Sequence, residues 1–175
     1  MESEPRSETS KARERLEKYC QGNGIDIGFG GDPITLSAIA IDIDVPYLWF
    51  FPRHPQNLKG DGRNLYWFRN EVLDYIYSSH LLEDFPEEET PVILLEWFRV
   101  IKPGGYLVIY CPDNPHYVEF CKKADQPPNK WHRIENFGLK YLKHVLEIHF
   151  KGKYEIVHEI ELIDEYCFDL VVRKV

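Results

Sequence analysis

Hydrophobic positions follow two rhythms along this chain. Short, largely apolar runs occur at Gly24 to Gly28 (GIDIG), Ser37 to Asp44 (SAIAIDID), Leu73 to Ser79 (LDYIYSS) and Tyr106 to Cys111 (YLVIYC). Runs of this length without strict polar alternation predict strands buried on both faces, as in a parallel sheet. Between them the spacing turns helical. Ala12, Leu16, Tyr19 and Cys20 make a thin apolar stripe on a helix predicted from Ser7 to Cys20, which Gly22 and Gly24 end. PEEETPVILLEWFRVIKPGG predicts a second helix, with Thr90 as its cap, Pro91 in its first turn and Glu87 to Glu89 at its positive end. Leu94, Leu95, Phe98 and Ile101 would face inward, and Pro103-Gly104-Gly105 would stop it. Leu139 to Phe150 reads as an amphipathic helix with Leu142, Val145, Leu146 and Phe150 inward. KYEIVHEIEL and EYCFDLVVRKV, joined through Ile163-Asp164, predict a closing antiparallel hairpin.

This order predicts an α/β fold: a Rossmann-like three-layer sandwich with a mainly parallel sheet and a C-terminal antiparallel hairpin. One connection breaks the pattern. Only about ten residues, Pro33 among them, separate the first two strands, fewer than the dozen a crossover helix needs. The first crossover helix should therefore be shortened or absent. The next stretch, VPYLWFFPRHPQNLKGDGR, resists assignment. Pro46, Pro52 and Pro55 break any long element, while Tyr47 to Phe51 form an apolar, mostly aromatic run. That run reads as a plug for the missing helix or as a lid.

Composition narrows the class. The chain has 175 residues, 43% hydrophobic, 29% charged and 14% aromatic, enough for one domain with its own core. No apolar run has the length of a bilayer span, and the first residues are charged rather than a secretory signal, so a cytoplasmic location is expected. Cys20, Cys111, Cys121 and Cys167 lack zinc-like spacing and read mainly as small buried hydrophobes. His80 with Glu83 or Asp84 has no second ligand pair nearby, so no metal is expected. A net charge of −8 argues against non-specific nucleic-acid binding. Between Lys122 and Lys153, however, eight Lys/Arg stand against three Asp/Glu, which reads as a solvated helix face or as a wall attracting an anionic partner.

In a sheet of this kind the ligand sits outside the carboxyl ends of the strands. Those ends carry Gly28, Phe29, Gly30 and Gly31; Asp42 and Asp44; Asp61 and Gly62; Ser78, Ser79 and His80; and Pro112 and Asp113. A dinucleotide fingerprint fails here, because Pro33 replaces the last glycine of G-x-G-x-x-G and no full helix follows to hold a pyrophosphate. A ligand without phosphates suits the set better. Bare glycine backbone admits an amino-acid moiety, the second-strand carboxylate accepts ribose hydroxyls, and Asp61 can take an adenine amino group. Together these describe S-adenosylmethionine.

Three blocks then carry a resemblance. GIDIGFGG resembles the hydrophobic-D-x-G-x-G loop of class I S-adenosylmethionine-dependent methyltransferases of the type-11 group. LDYIYSSHLLEDF resembles their F-D-hydrophobic-hydrophobic-x-S block, which ends L-E-H. LLEWFRVIKPGGYLVIYCPD resembles their L-x-E-hydrophobic-x-R-V-L-K-P-G-G block, with KGDGRNL matching the G-D-A element between them. The resemblance covers Gly24 to Asp113 well and the tail more loosely. It implies a single domain: an N-terminal helix (1–22), a cofactor-binding core (24–113) and an acceptor side with loop, helix and hairpin (114–175). It implies donor contacts from Gly28, Phe29 and Gly30, with Asp26 shaping the loop, Asp42 on the ribose, Asp61 and Gly62 facing adenine, and Ser79 lining the transfer region. It also implies a small-molecule acceptor and nothing sharper; sugars are among the acceptors of such families, and an anionic acceptor is the expectation the basic stretch adds.

The chain departs from the pattern at Phe29, which is bulky, and at Asp84, where the family usually has His. Candidate bases are His116, in CPDNPHY after a strand that ends at the site, and His132, in the trio Trp131-His132-Arg133. A second class stays open: a methyltransferase-like interaction module, with Tyr47 to Phe51 as its partner surface.

Overall fold

The computed structural model describes residues 7–43 and 58–175. The predicted aromatic run Tyr47 to Phe51, and Asp44 before it, lie outside the described residues. Among the described residues seven strands form one sheet: β1 (Gly24–Ile27), β2 (Ile39–Asp42), β3 (Leu58–Lys59), β4 (Leu73–Ser79), β5 (Ile101–Pro112), β6 (Tyr154–Ile163) and β7 (Cys167–Lys174). Their spatial order is β3-β2-β1-β4-β5-β7-β6. β1 to β5 pair in parallel, and β7 runs antiparallel to both β5 and β6. The sandwich and closing hairpin are those the hydrophobic pattern predicts.

Two cores flank the sheet, and strand alternation sorts residues between them. Ile25, Ile27, Ile76, Leu107, Ile109, Leu170 and Val172 face one side, under α2 (Thr90–Val100) and α4 (Leu139–Phe150). Tyr75, Tyr77, Val108, Tyr110 and Val171 face the other, where α1 (Glu8–Leu16) supplies Ala12 and Leu16. No helix forms between β1 and β2. In its place the loop sends Ile34 and Ala38 into the second core, beside α1. The N-terminal helix thus covers the face on which the short crossover supplies no helix. Ser7 caps α1, its hydroxyl accepting from the Ser10 amide, and a 3-10 turn over Glu17–Tyr19 ends it.

Several local expectations need correction. Thr90 does not cap α2; a 3-10 turn over Glu87–Glu89 leads directly into the helix, and no side chain caps it. The buried face of α2 is Ile93, Leu94, Trp97, Phe98 and Val100, while Leu95 is 49% exposed. Pro103-Gly104-Gly105 does not stop this helix. Ile101 is already extended and pairs with Leu73, and the triplet is a register shift inside β5 before Tyr106 meets Tyr75. The stretch after Asp113 holds a helix, α3 (Asn114–Lys123), capped by the Asp113 side chain. No described helix is long and apolar enough to cross a membrane.

Candidate active site

The strand order reverses between β1 and β4, and at such a switch point two neighbouring crossovers diverge and leave a crevice. A cavity of about 440 Å³ lies there. Ile27 and Gly28 line it from the end of β1, and Asp42 and Ile43 from the end of β2. Gly60, Asp61, Gly62 and Arg63 contribute from the turn after β3. Leu81, Asp84 and Phe85 close it from beyond β4, and Trp131 comes from the loop before α4.

Close backbone approach shapes the wall. Gly28 has φ 71°, and a Cβ there would stand 3.0 Å from Leu81 Cδ2. A Cβ on Gly62 would meet Ile27 Cγ2 at 2.6 Å. Bare peptide is therefore what this part of the molecule can hold. The loop after β1 is tied from within: the Ile34 amide donates to Asp26 Oδ2 at 2.7 Å, and the Gly30 amide to Asp42 Oδ2 at 3.2 Å. Asp26 is fully buried with Oδ1 unpartnered, and burial, reinforced by Asp42 and Asp32, pushes its carboxyl up to about 8. Asp61 is gripped by Arg63, whose Nε and Nη2 donate at 3.0 and 2.6 Å to Oδ2; that pairing holds the carboxyl below its usual range.

Of the residues expected at the site, Gly28, Asp42, Asp61 and Gly62 line one cavity. Asp26, Phe29, Gly30 and Ser79 do not. Phe29 is 3% exposed and is not among the residues lining the cavity, while Ser79 is buried and bonds His80 Nδ1 at 3.3 Å. His116 is exposed on the first turn of α3, its Nδ1 2.6 Å from Asp113 Oδ1. His132 is half-buried beside Trp131, and burial lowers its pKa. Neither histidine lines the cavity. Arg63 and Leu81 were not singled out by the sequence; Arg63 follows Asp61 by two residues, a spacing that permits the clamp but does not announce it. Half of the eight cations in the basic stretch are paired: Lys123, Lys140, Lys143 and Lys151 meet Glu119, Glu161, Glu159 and Glu147.

A glycine-walled crevice at the switch point of a parallel sheet closed by an antiparallel hairpin defines a Rossmann-like methyltransferase architecture. Residues 25–109 match the family model described as a methyltransferase domain. That match identifies a methyltransferase domain within the chain, whose methyl donor is S-adenosylmethionine. The fold is shared with a Pyrococcus horikoshii OT3 protein of 18% identity, covering 94% of this chain and 88% of that one with a TM-score of 0.71. It is shared too with an S-adenosylmethionine-dependent methyltransferase of Archaeoglobus fulgidus (17% identity, 95% and 94% covered, TM-score 0.68). A methyltransferase of Aquifex aeolicus gives 18% identity, 93% and 89% coverage and a TM-score of 0.63. At these identities the structural likeness speaks for the fold, and the family match for the chemistry. No curated protein matches the chain significantly.

Proposed function

We propose that the cavity between the ends of β1, β2, β3 and β4 is the donor site and that the methyl group passes there to a small-molecule acceptor. The observation that carries this is the convergence of Gly28, Asp42, Asp61 and Gly62 on one 440 Å³ space. That volume falls within the range of small-molecule sites. Bound there, S-adenosylmethionine supplies an electrophilic methyl on sulfur. The protein contributes position and a dry wall. Backbone at Gly28 would receive the amino-acid end, the Asp42 carboxylate would accept the ribose hydroxyls, and Asp61 with Gly62 would face the adenine. Asp26, Phe29, Gly30 and Ser79 would act from behind, by fixing the loop and the β4 end. No base is assigned to His116 or His132, because neither lines the cavity.

Trp131 is the open side of the site. It is 54% exposed, and Lys130 Nζ and the Arg133 guanidinium stand 5.2 and 5.8 Å from its ring centroid. An aromatic face with two cations suits a small anionic or sugar-like acceptor. We place the reaction in the cytoplasm, in keeping with four free cysteines.

Calorimetric titration with S-adenosylmethionine and S-adenosylhomocysteine tests the site. Binding in the micromolar range is expected, weakened in Asp42→Ala by about 1.5–3 kcal/mol, the scale of a hydrogen bond to a charged group. Absence of heat at millimolar ligand, or an Asp42→Ala protein that binds like the parent, would overturn the assignment.

A further inference from the structure

We propose that Glu83, Asp84 and His132 form a binding site for one divalent transition-metal ion, of the Zn²⁺ or Co²⁺ type, in the wall of the cavity. The three side chains each bring one ligand atom, and these atoms all lie within 4.8 Å of one another. A single such ion holds nitrogen and carboxylate ligands at about 2.0–2.2 Å, so two ligands on opposite sides of it stand about 4 Å apart. Closing the cluster on an ion requires side-chain shifts of less than about 1 Å on that scale.

The cluster is unfinished as it stands. Glu83 is 1% exposed, yet its Oε2 has no hydrogen-bond partner, and neither has the buried Oδ1 of Asp84. His132 Nε2 lies 3.9 Å from Glu83 Oε1, too far for a hydrogen bond. Buried polar atoms left this way are costly, and a cation held between the three side chains would offset that cost.

The histidine is oriented for the task. Asn114 Nδ2 donates to the carbonyls of Ile134 and Glu135 at 3.1 and 3.2 Å, which turns its Oδ1 toward His132 Nδ1 at 2.9 Å. The proton of the imidazole is thereby placed on Nδ1, and the Nε2 lone pair faces Glu83. Metal-bound histidines are held in this manner, donating the far nitrogen to a fixed acceptor. Arg133 donates its amide to the Glu83 carbonyl at 2.7 Å and so joins the His132 loop to the turn carrying both carboxylates. Linear spacing hides the site, because its histidine and its acids belong to separate loops.

Asp84 lines the cavity and Trp131, next to His132, does too, so a bound ion would stand where it could polarise an acceptor oxygen. That role rests on the methyl-transfer reading; the site itself does not. A second cluster, Glu8, His80 and Cys167, also lies within ligand range and serves as the control.

The test is titration of the full chain with Co²⁺, followed by visible absorbance, and with Zn²⁺ by calorimetry, both without methyl donor. One ion per chain is expected, bound at least tenfold more weakly by Glu83→Gln and by His132→Ala, and undiminished in Cys167→Ser. Circular dichroism and thermal melting verify that each variant is folded; His132→Ala, in a loop, gives a readout if the buried Glu83→Gln fails to fold. No stoichiometric uptake, uptake unchanged by His132→Ala, or uptake lost only in Cys167→Ser would overturn the proposal. Failure here leaves the donor titration untouched, and the reverse also holds.

Discussion

Gly28 stands at φ 71° with Leu81 Cδ2 3.0 Å from where a Cβ would be, so two separate constraints meet on one residue. The left-handed conformation alone costs an L-residue about 1–2 kcal/mol. Gly28→Ala should therefore lower stability by at least about 1 kcal/mol in chemical denaturation, and it should also weaken donor binding, because Gly28 lines the cavity. An alanine variant that loses stability but binds the donor unchanged would separate the two effects and remove Gly28 from the site. Phe29 shows the opposite relation between sequence and place. Its bulk looked like an obstacle in the loop, yet the side chain turns into the protein. Residue type was legible there and direction was not, since direction depends on how the neighbouring loop is tied to Asp26.

At the scale of elements, α1 is held across the sheet by charge as well as by Ala12 and Leu16. Arg15 Nε donates to Asp169 Oδ2 and Nη2 to Asp164 Oδ2, each at 3.0 Å, and Asp169 is fully buried on β7. His158 Nε2 approaches the same carboxylate at 3.1 Å. Removing Arg15 leaves a buried carboxylate short of its main partner, a change that costs about 3–5 kcal/mol in comparable sites. Arg15→Ala should lose that much in a urea titration at neutral pH; a loss below about 1 kcal/mol would show that His158 suffices. Legibility also varied by element. β4 and α4 were read to their ends because their apolar residues bury a continuous face. α3 was missed, since only Asn114 and Cys121 are buried on it and no apolar period results. Its start was nonetheless written in Asp113, a capping side chain, and Pro115 in the first turn.

Across the whole molecule, burial of acids on both sides of the switch point makes stability depend on pH. Burial raises Asp26 and Glu83 to about 8 and Asp84 to about 6, well above the ordinary carboxylate range. For a raised acid the folded state holds the proton more tightly. The stabilisation is complete below about pH 4 and is lost as pH rises through 6 to 8. His80, lowered to about 4 mainly by burial, acts in the other direction: its contribution is lost as pH falls from 6.5 toward 4. Acids held low, such as Asp61 and Asp74, stay ionised above pH 6 and add no slope there. Stability measured in chelator should thus decline from pH 6 to pH 8, by at most about 1.4 kcal/mol per pH unit for each group. Asp26→Asn should make that decline shallower. An unchanged slope would mean that Asp26 is ionised in the fold.

Architecture and class could be read from the residues alone. Uniformly apolar runs require a sheet covered on both faces, the short gap before β2 leaves no room for a helix, and the ordered motifs carry the methyl donor. Tertiary structure alone decided which of the expected residues share a space. Gly28, Asp42, Asp61 and Gly62 come from three different strand ends, and strand order brings them together. It also set His132 against Glu83, nearly fifty positions earlier in the chain. Periodicity reports on the face a residue buries. Contacts between distant loops depend on chain crossings and on burial, and these exist only once the sheet has closed.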